Sequence, residues 1–593
     1  MGEEKRLIPF GEISESFTGL RDEGIYYVDK TGFIPFIIEE KRKICVVTRP
    51  RRFGKTLMLR TLQTFFEYRL DKDGNPIDNR RYFDGLRVMD AGEDVLKHLG
   101  QYPVISLSLK DVSGDTYESV LEMMRKAIYD ACQAHLTLLL NNPSLLDEEL
   151  TLFRRYVGKK SSESELMSFL GDMCVWLNRI TNRKVVILLD EYDVPLQKAA
   201  IYCNRHPGSD LFDKTVKLIG KFISAGFKSN DNLAFGVISG CMRVAKESIF
   251  TGMNNPGVIT VLSKTPDEFW GFTEAEVKEM LAYYGQEDKY PQIERWYDGY
   301  FYGGRKVFNP WSLLNAIRGL VNEEGDLAIK AYWSLTSGND IIDDMIDRNP
   351  AHREGLAMLM NGETMTVPVY ENLSYRDLQE TPDAIWSFLL YTGYLKSLHS
   401  FVNEDNLLQA VVAIPNIEIK TIMASSLRRW WNFKRLAHSN VDILIQALLR
   451  GDNEVVEREL RIVLKDSTSY FDYNEAFYHG MLVGLLQNGA SVRSNDEYGE
   501  GRPDIVAVTA ETGIIIEVKC VTPKALENAG IKADERTKIK EMMSKLLDSA
   551  VQQIVNREYI EAVLYDEPEA RSVVAYAICF CKKWCAVRKV AVE

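Results

Sequence analysis

The sequence predicts an α/β chain: an N-terminal parallel sheet wound with helices, a mainly helical middle, and a second, smaller α/β domain at the C-terminus. Three observations carry this. Short aliphatic runs alternate with helical stretches over the first 264 residues. From about residue 265 the apolar spacing turns helical. From about 470 a helix leads into closely spaced strands. The expected domains are therefore 1–264, 265–455 and 456–593.

KICVVT (Lys43–Thr48) is a buried strand by its β-branched run. The loop PRRFGKT follows, then a helix to about Phe66 with Leu57, Leu59, Leu62, Phe65 and Phe66 on its apolar face. YPVISLSLK (Tyr102–Lys110) is a second strand, and helical spacing covers 115–140 and 162–180. KVVILLDEYD (Lys184–Asp193) is a third strand, aliphatic until it meets acids at its C-terminal end. FGVISG (Phe235–Gly240) and VITVLS (Val258–Ser263) supply a fourth and fifth. Ligands of such sheets bind beyond the carboxyl ends of the strands, where the Gly-Lys-Thr loop and the acids both fall. GFTEAEVKEMLAYY (Gly271–Tyr284) has Thr273 as a cap before apolar i, i+3/i+4 positions. LLYTGYLKSL before AVVAIPN reads as a helix entering a small hairpin, a winged-helix-like pattern. The C-terminal part reads as a helix (Asn474–Gln487), strands near 490–494, 503–509 and 513–519, a helix near 540–558 and a strand near 572–581.

Two sets of residues carry chemistry. The first is a strand, a loop ending Gly54-Lys55-Thr56, and a helix, the mechanics of a phosphate-binding P-loop. Lys55 would reach the β/γ-phosphates and the Thr56 hydroxyl would bind Mg²⁺. Asp190 at the tip of the third strand would hold Mg²⁺ through water, and Glu191 would polarise an attacking water. The usual signature has a glycine where this chain has Arg49. The phosphate-binding stretch is expected to be Arg52, Phe53, Gly54, Lys55 and Thr56. The strand between loop and acids, Val104–Leu109, and Glu191 both fit P-loop proteins of the ASCE/AAA-like class, with an extra central strand and a catalytic glutamate.

The second set lies in GRPDIVAVTAETGIIIEVKC (Gly501–Cys520). Asp504 starts one strand of a hairpin, and Glu517 and Lys519 stand i, i+2 on the other, facing one side. Two carboxylates and a lysine converge, as metal-assisted phosphodiester hydrolysis requires. Cys520, Cys579, Cys581 and Cys585 fall in the same domain, and their strand positions suit small buried side chains better than a metal cluster. No HExxH or H-x-E pattern supports zinc chemistry.

YVDKTGFI (Tyr27–Ile34), TRPRRFGKT (Thr48–Thr56), LLDEYDVP (Leu188–Pro195), SGCMRVAKESIFTGMNN (Ser239–Asn255), GFTEAEV (Gly271–Val277), WYDGY (Trp296–Tyr300) and NPWS (Asn309–Ser312) together resemble bacterial AAA-ATPase-like proteins fused to a PD-(D/E)XK nuclease domain. The resemblance runs from about residue 7 to 585. It implies a P-loop NTPase followed by a restriction-endonuclease-like fold. The family's loop reads R-P-R-R-F-G-K-[ST], so Arg49 belongs to its pattern. Arg243 matches the family's arginine that would sense or stabilise the γ-phosphate, and Ser239 stands at a strand-tip sensor position. Asp29-Lys30-Thr31 would lie near the adenine or ribose, or act as a cap. Glu475 matches the family's upstream acid and would be a third metal ligand beside Asp504 and Glu517. His479 lies on the same helical face and is expected to pack. Gln553 and Tyr559 match a Q-x5-Y helix, with Gln553 reaching toward the metal or a phosphate.

The formal net charge of -13 excludes a chain that is polybasic throughout, without excluding a local basic channel. The N-terminal residues carry no apolar h-region, and no apolar run is long enough to span a membrane. Nine scattered cysteines fit reduced thiols in a cytoplasm. The expected protein is an ATP- and Mg²⁺-dependent enzyme that acts on nucleic acid, with DNA favoured, through its C-terminal domain. The middle region would read the nucleotide state, and homo-oligomers, dimers and monomers are all open. The alternatives are a nucleotide-gated protein whose nuclease fold binds without cutting, and a nuclease whose P-loop holds ATP only structurally.

Overall fold

The computed structural model describes residues 6–9, 15–71, 74–140, 142–242, 256–264, 268–302, 304–322, 325–333, 350–371, 373, 375, 377–424, 438–467, 475–487, 489–494, 502–509, 511–531, 535–567 and 570–591. The chain divides into two units, Met1–Leu335 with Thr366–Glu418, and Thr336–Met365 with Ile419–Glu593. The boundary expected near 264 thus falls inside the first unit.

The first unit is built on five strands: β1 (Ile44–Thr48), β2 (Val104–Ser108), β3 (Val185–Asp190), β4 (Leu233–Gly240) and β5 (Gly257–Ile259). Every pair is parallel, in the order β2-β3-β4-β1-β5. β3 is buried along its whole length, as its unbroken aliphatic run requires. The strand that separates β1 from β3 in space is β4. β2, which lies between them in sequence, sits at the edge, where its half-buried Ser106 and Ser108 are tolerated. Register brings Thr48 opposite Gly240 and Ser108 opposite Asp190, so the strand ends are level.

The helix Lys55–Phe66 covers one face, burying Leu62, Phe65 and Phe66 against Val47, Val186, Leu188 and Val237. On the other side, Glu163–Thr181 and Leu211–Phe227 pack closely, because Gly171 and Gly226 leave no side chain at their crossing. The structure adds the helices Asp147–Val157, Val194–Arg205 and Leu211–Phe227 to those the spacing predicts.

The rest of this unit is not purely helical. Glu274–Tyr284 opens with the expected capping box: Thr273 accepts from the Glu276 amide, and the Glu276 carboxylate accepts from the Thr273 amide. Around it lie β6 (Phe272–Thr273), β7 (Tyr300–Tyr302) and β8 (Arg305–Phe308), in the order β6-β8-β7. The helix Ala384–Thr392 ends at Gly393 and enters a hairpin of β10 (Lys396–Val402) and β11 (Leu408–Ala413), with β9 (Met365–Pro368) beside β11.

The second unit holds β12 (Ser491–Ser494), β13 (Ile505–Thr509), β14 (Thr512–Cys520), β15 (Ser572–Cys581) and β16 (Trp584–Val590) in sequential order. Only β14 and β15 are parallel; the other pairs are antiparallel. The helix Arg536–Asn556 covers Ala577, Cys579 and Cys581. Tyr478, on the helix Glu475–Leu486, stacks on Phe580 from the other face, with centroids 4.4 Å apart. Among the described residues no helix is long and apolar enough to cross a membrane. Among the described residues no disulfide joins any of the nine cysteines.

Candidate functional site

Where β1 ends, the chain turns through residues 49–54 into the helix Lys55–Phe66. Gly54 has φ 79, the left-handed region a glycine enters freely. Arg52 is also left-handed, at φ 67, which costs a non-glycine residue about 1 kcal/mol. The buried Lys55 ammonium donates to the carbonyls of Arg49 (2.9 Å) and Pro50 (2.7 Å) and lies 4.0 Å from the Cys241 sulfur. The Thr56 hydroxyl donates to Asp190 Oδ2 at 2.7 Å, and the Ser239 hydroxyl donates to Asp190 Oδ1. One carboxylate thus joins the loop, β3 and β4. Glu191 follows at φ 51, and its carboxyl is held above the usual range by burial and then by the Asp190 charge.

Two residues missed by sequence reasoning complete this edge. Asp193 Oδ2 accepts from the amides of Cys241 (2.9 Å) and Met242 (3.0 Å). The Tyr192 hydroxyl donates to the Met242 carbonyl at 2.5 Å. They fix the exit of β4, the stretch that leads to Arg243. Their signal lay in the same DEYD run whose first two acids drew the attention. Arg243 itself lies outside the described residues.

Arg49 stands in place of the usual first glycine, and its guanidinium donates to the Thr48 carbonyl at 3.0 Å. It is fully buried, with its guanidinium 5.0 Å from the Trp270 ring centroid and 4.9 Å from that of Tyr302. Phe53 packs edge-on to Tyr300 at 5.0 Å and lies 5.6 Å from Tyr302. Arg52 lies 4.3 Å over Trp311. The side chains of Arg52 and Phe53 therefore contact protein rings, leaving their backbone as the part available to a phosphate. Asp29-Lys30-Thr31 acts as a tether. Asp29 accepts from Thr31 and from the Arg87 amide, Thr31 accepts from the Val88 amide, and Lys30 pairs with Glu276 at 2.7 Å.

In the second unit, Asp504 precedes β13, while Glu517 and Lys519 stand on β14 and face one side. Lys519 Nζ donates to Glu517 Oε1 at 2.9 Å. Asp504 Oδ2 accepts from the Val518 amide at 2.7 Å. Glu517 is fully buried, and burial, then the Asp504 charge, pushes its carboxyl up to about 7. Burial works against a charged Lys519, but the charges of Glu517 and Asp504 outweigh it and raise its pKa. Glu475 opens the helix Glu475–Leu486, and its carboxyl is raised by partial burial, opposed by Lys519 and reinforced by Asp504. His479 is buried, with Nε2 2.8 Å from the Asp504 carbonyl, so it anchors the acid's backbone. Tyr559 is a core residue packed with Val506, Ile515 and Val563. Gln553 is half-buried on the helix Arg536–Asn556.

The metal donors can be tested against this geometry. Among the described residues no three His, Cys, Asp or Glu side chains stand as a ready cage for a metal ion. The donor chemistry nonetheless fits a hard divalent cation. Glu517 and Asp504 are neighbouring carboxylates whose mutual repulsion a cation relieves. At the first site, a threonine hydroxyl beside a strand-tip aspartate is likewise an oxygen pair suited to Mg²⁺.

Comparison with known proteins finds a family match over each of the two regions. Residues 12–250 match the family described as predicted AAA-ATPase, and residues 473–590 match the PD-(D/E)XK nuclease superfamily. A curated relative, described as an uncharacterized protein in the vnfD 5'region of Azotobacter chroococcum mcd 1, is 26% identical over 365 residues. That alignment spans 60% of this chain and 59% of the relative. No solved structure matches.

Proposed function

We propose that this chain, which joins an AAA-ATPase-like domain to a PD-(D/E)XK nuclease superfamily domain, hydrolyses ATP and uses the nucleotide state to govern a metal-dependent nuclease site. The observation that carries the reading is the meeting of loop and acids. Lys55, Thr56, Asp190 and Glu191 come together at one strand edge, with Thr56 bonded to Asp190 at 2.7 Å. Lys55 would exchange the two loop carbonyls it now holds for phosphate oxygens. Glu191 would orient and deprotonate water, and Ser239 keeps the Asp190 carboxylate in place. Arg243 is assigned to the γ-phosphate by its position in the motif. Thr56 and Asp190 would hold Mg²⁺ at this site, and Asp504, Glu517 and Glu475 would hold it at the other. Bound Mg²⁺ supplies charge neutralisation and a more acidic water. Lys519 would stabilise the charge that develops on a phosphodiester. Nucleic acid, DNA first, is the proposed partner of the second unit; a cytoplasmic setting and homo-oligomeric assembly belong to the same reading.

A second reading has one observation in its favour. One oxygen of Asp504 is committed to the Val518 amide, and one of Glu517 to Lys519. A nuclease fold that binds without cutting would tolerate that arrangement. The deciding experiment incubates the protein with Mg²⁺ or Mn²⁺ and linear, circular and single-stranded DNA and RNA, with and without ATP. Cleavage lost in Asp504→Ala supports the nuclease, and its dependence on ATP or on Lys55→Ala supports coupling. ATP turnover without cleavage favours the binding protein.

A further inference from the structure

We infer that Arg49 is a positioning residue, which ties the phosphate loop to the rings of Trp270 and Tyr302 and makes nucleotide occupancy felt in the 268–311 segment. This rests on the ATP-binding reading and names the residues through which that site is coupled.

The observations are contiguous. A glycine-rich phosphate loop takes its shape from its own backbone; this loop has lost its first glycine and takes shape from outside. The Arg49 guanidinium lies between two aromatic faces, at 5.0 and 4.9 Å, and donates to the Thr48 carbonyl at 3.0 Å. Pro50 packs against Gly393 so closely that a Cβ there would lie 2.8 Å from Pro50 Cβ. Arg52 rests on Trp311, and Phe53 on Tyr300 and Tyr302. Four of the five residues between Thr48 and Gly54 thus place their side chains on elements downstream of β5.

Lys55 supplies the link to ligand. Its ammonium is bonded to the carbonyls of Arg49 and Pro50, whose side chains are packed on Trp270, Tyr302 and Gly393. When Lys55 turns to a phosphate, those two carbonyls lose their donor. The backbone that must readjust is the part clamped by the aromatic rings. Coupling of this kind is reciprocal: a clamp that fixes the loop also sets its affinity for nucleotide.

The test is hydrogen exchange on the intact chain, with and without Mg²⁺ and adenylyl imidodiphosphate, alongside a direct binding titration. The expected result is altered exchange in peptides covering 268–272, 299–302 and 309–312, in addition to 48–58. Arg49→Met is expected to bind about tenfold more weakly and to lose the distant response. Arg49→Lys, which keeps a cation between the rings, is expected to recover part of both, and Tyr302→Leu to lose the response as Arg49→Met does. Binding by the wild type with exchange changes confined to 48–58 and 188–193 overturns the inference, whether or not the variants fold. So does a response in Arg49→Met equal to the wild type. A flat titration for the wild type overturns the ATP reading itself, and the inference with it.

Discussion

Asp190 holds the two halves of the candidate nucleotide site with one carboxylate, Thr56 on one oxygen and Ser239 on the other, so the residues around it have separable duties under the proposed function. Lys55→Ala is expected to weaken ATP binding roughly 10- to 100-fold, the worth of a charge-assisted contact, as read by titration. Glu191→Gln is expected to keep ATP bound while turnover falls on the order of 10²- to 10⁴-fold, as read by release of phosphate. Gly240 is a third test. A Cβ there would lie 2.6 Å from the Tyr192 ring and 2.7 Å from Asp193 Oδ1. Gly240→Ala should therefore cost about 1–3 kcal/mol in denaturant melts and disturb the exit of β4. The meeting of Thr56 with Asp190 and of Lys519 with Glu517 was legible in the sequence, because a loop at one strand end, acids at the next and an i, i+2 spacing on a strand place those side chains together. The duty of Arg49 was not, because its meaning lies in two rings far along the chain. Asp193 was hidden differently, as the third acid in a run where two already had roles.

At the scale of elements, legibility followed length and periodicity. β1 to β4 and the helix Glu475–Leu486 have sustained apolar patterns and were readable within a few residues, whereas β5, three residues long, is shorter than VITVLS suggests. β7 and β8 are three and four residues long, too short for any period, so their sheet was read as helical ground. The helix Val194–Arg205 did carry a start signal, a proline in its first turn after an acidic run, but its amphipathic face is weak. One element junction makes a pH prediction. Glu418 is fully buried and accepts from the Ser312 hydroxyl and the Trp333 amide, each at 2.9 Å. Burial pushes its carboxyl up to about 7, above the ordinary value of 4.5. Its contribution to stability is therefore fully present below about 4.5 and is lost as the pH rises through 7. Glu418→Gln keeps the acceptor and removes this loss. Its stability relative to the wild type should rise by up to about 3 kcal/mol between pH 5 and 8, as read by melts at each pH.

For the whole molecule, the two candidate sites sit in different structural units, and the two proposed activities should be separable by mutation. Asp504→Ala is expected to abolish cleavage and leave basal ATP turnover unchanged, checked by assaying both on one preparation. The first unit also has a consequence for synthesis. A ribosome releases the phosphate loop early, yet what shapes that loop arrives late: Gly240 beside β1, then Trp270, Tyr302 and Trp311. At roughly 5–20 residues per second, the wait from Thr48 to Trp311 is on the order of ten to fifty seconds. During that interval the nascent loop lacks its clamp, and on the proposed function ATP capture would follow translation of the middle region. A fragment stopped at residue 264 should let ATP go, and one stopped at 418 should retain it. The cell would thus have in ATP retention a marker of a chain whose first unit is finished.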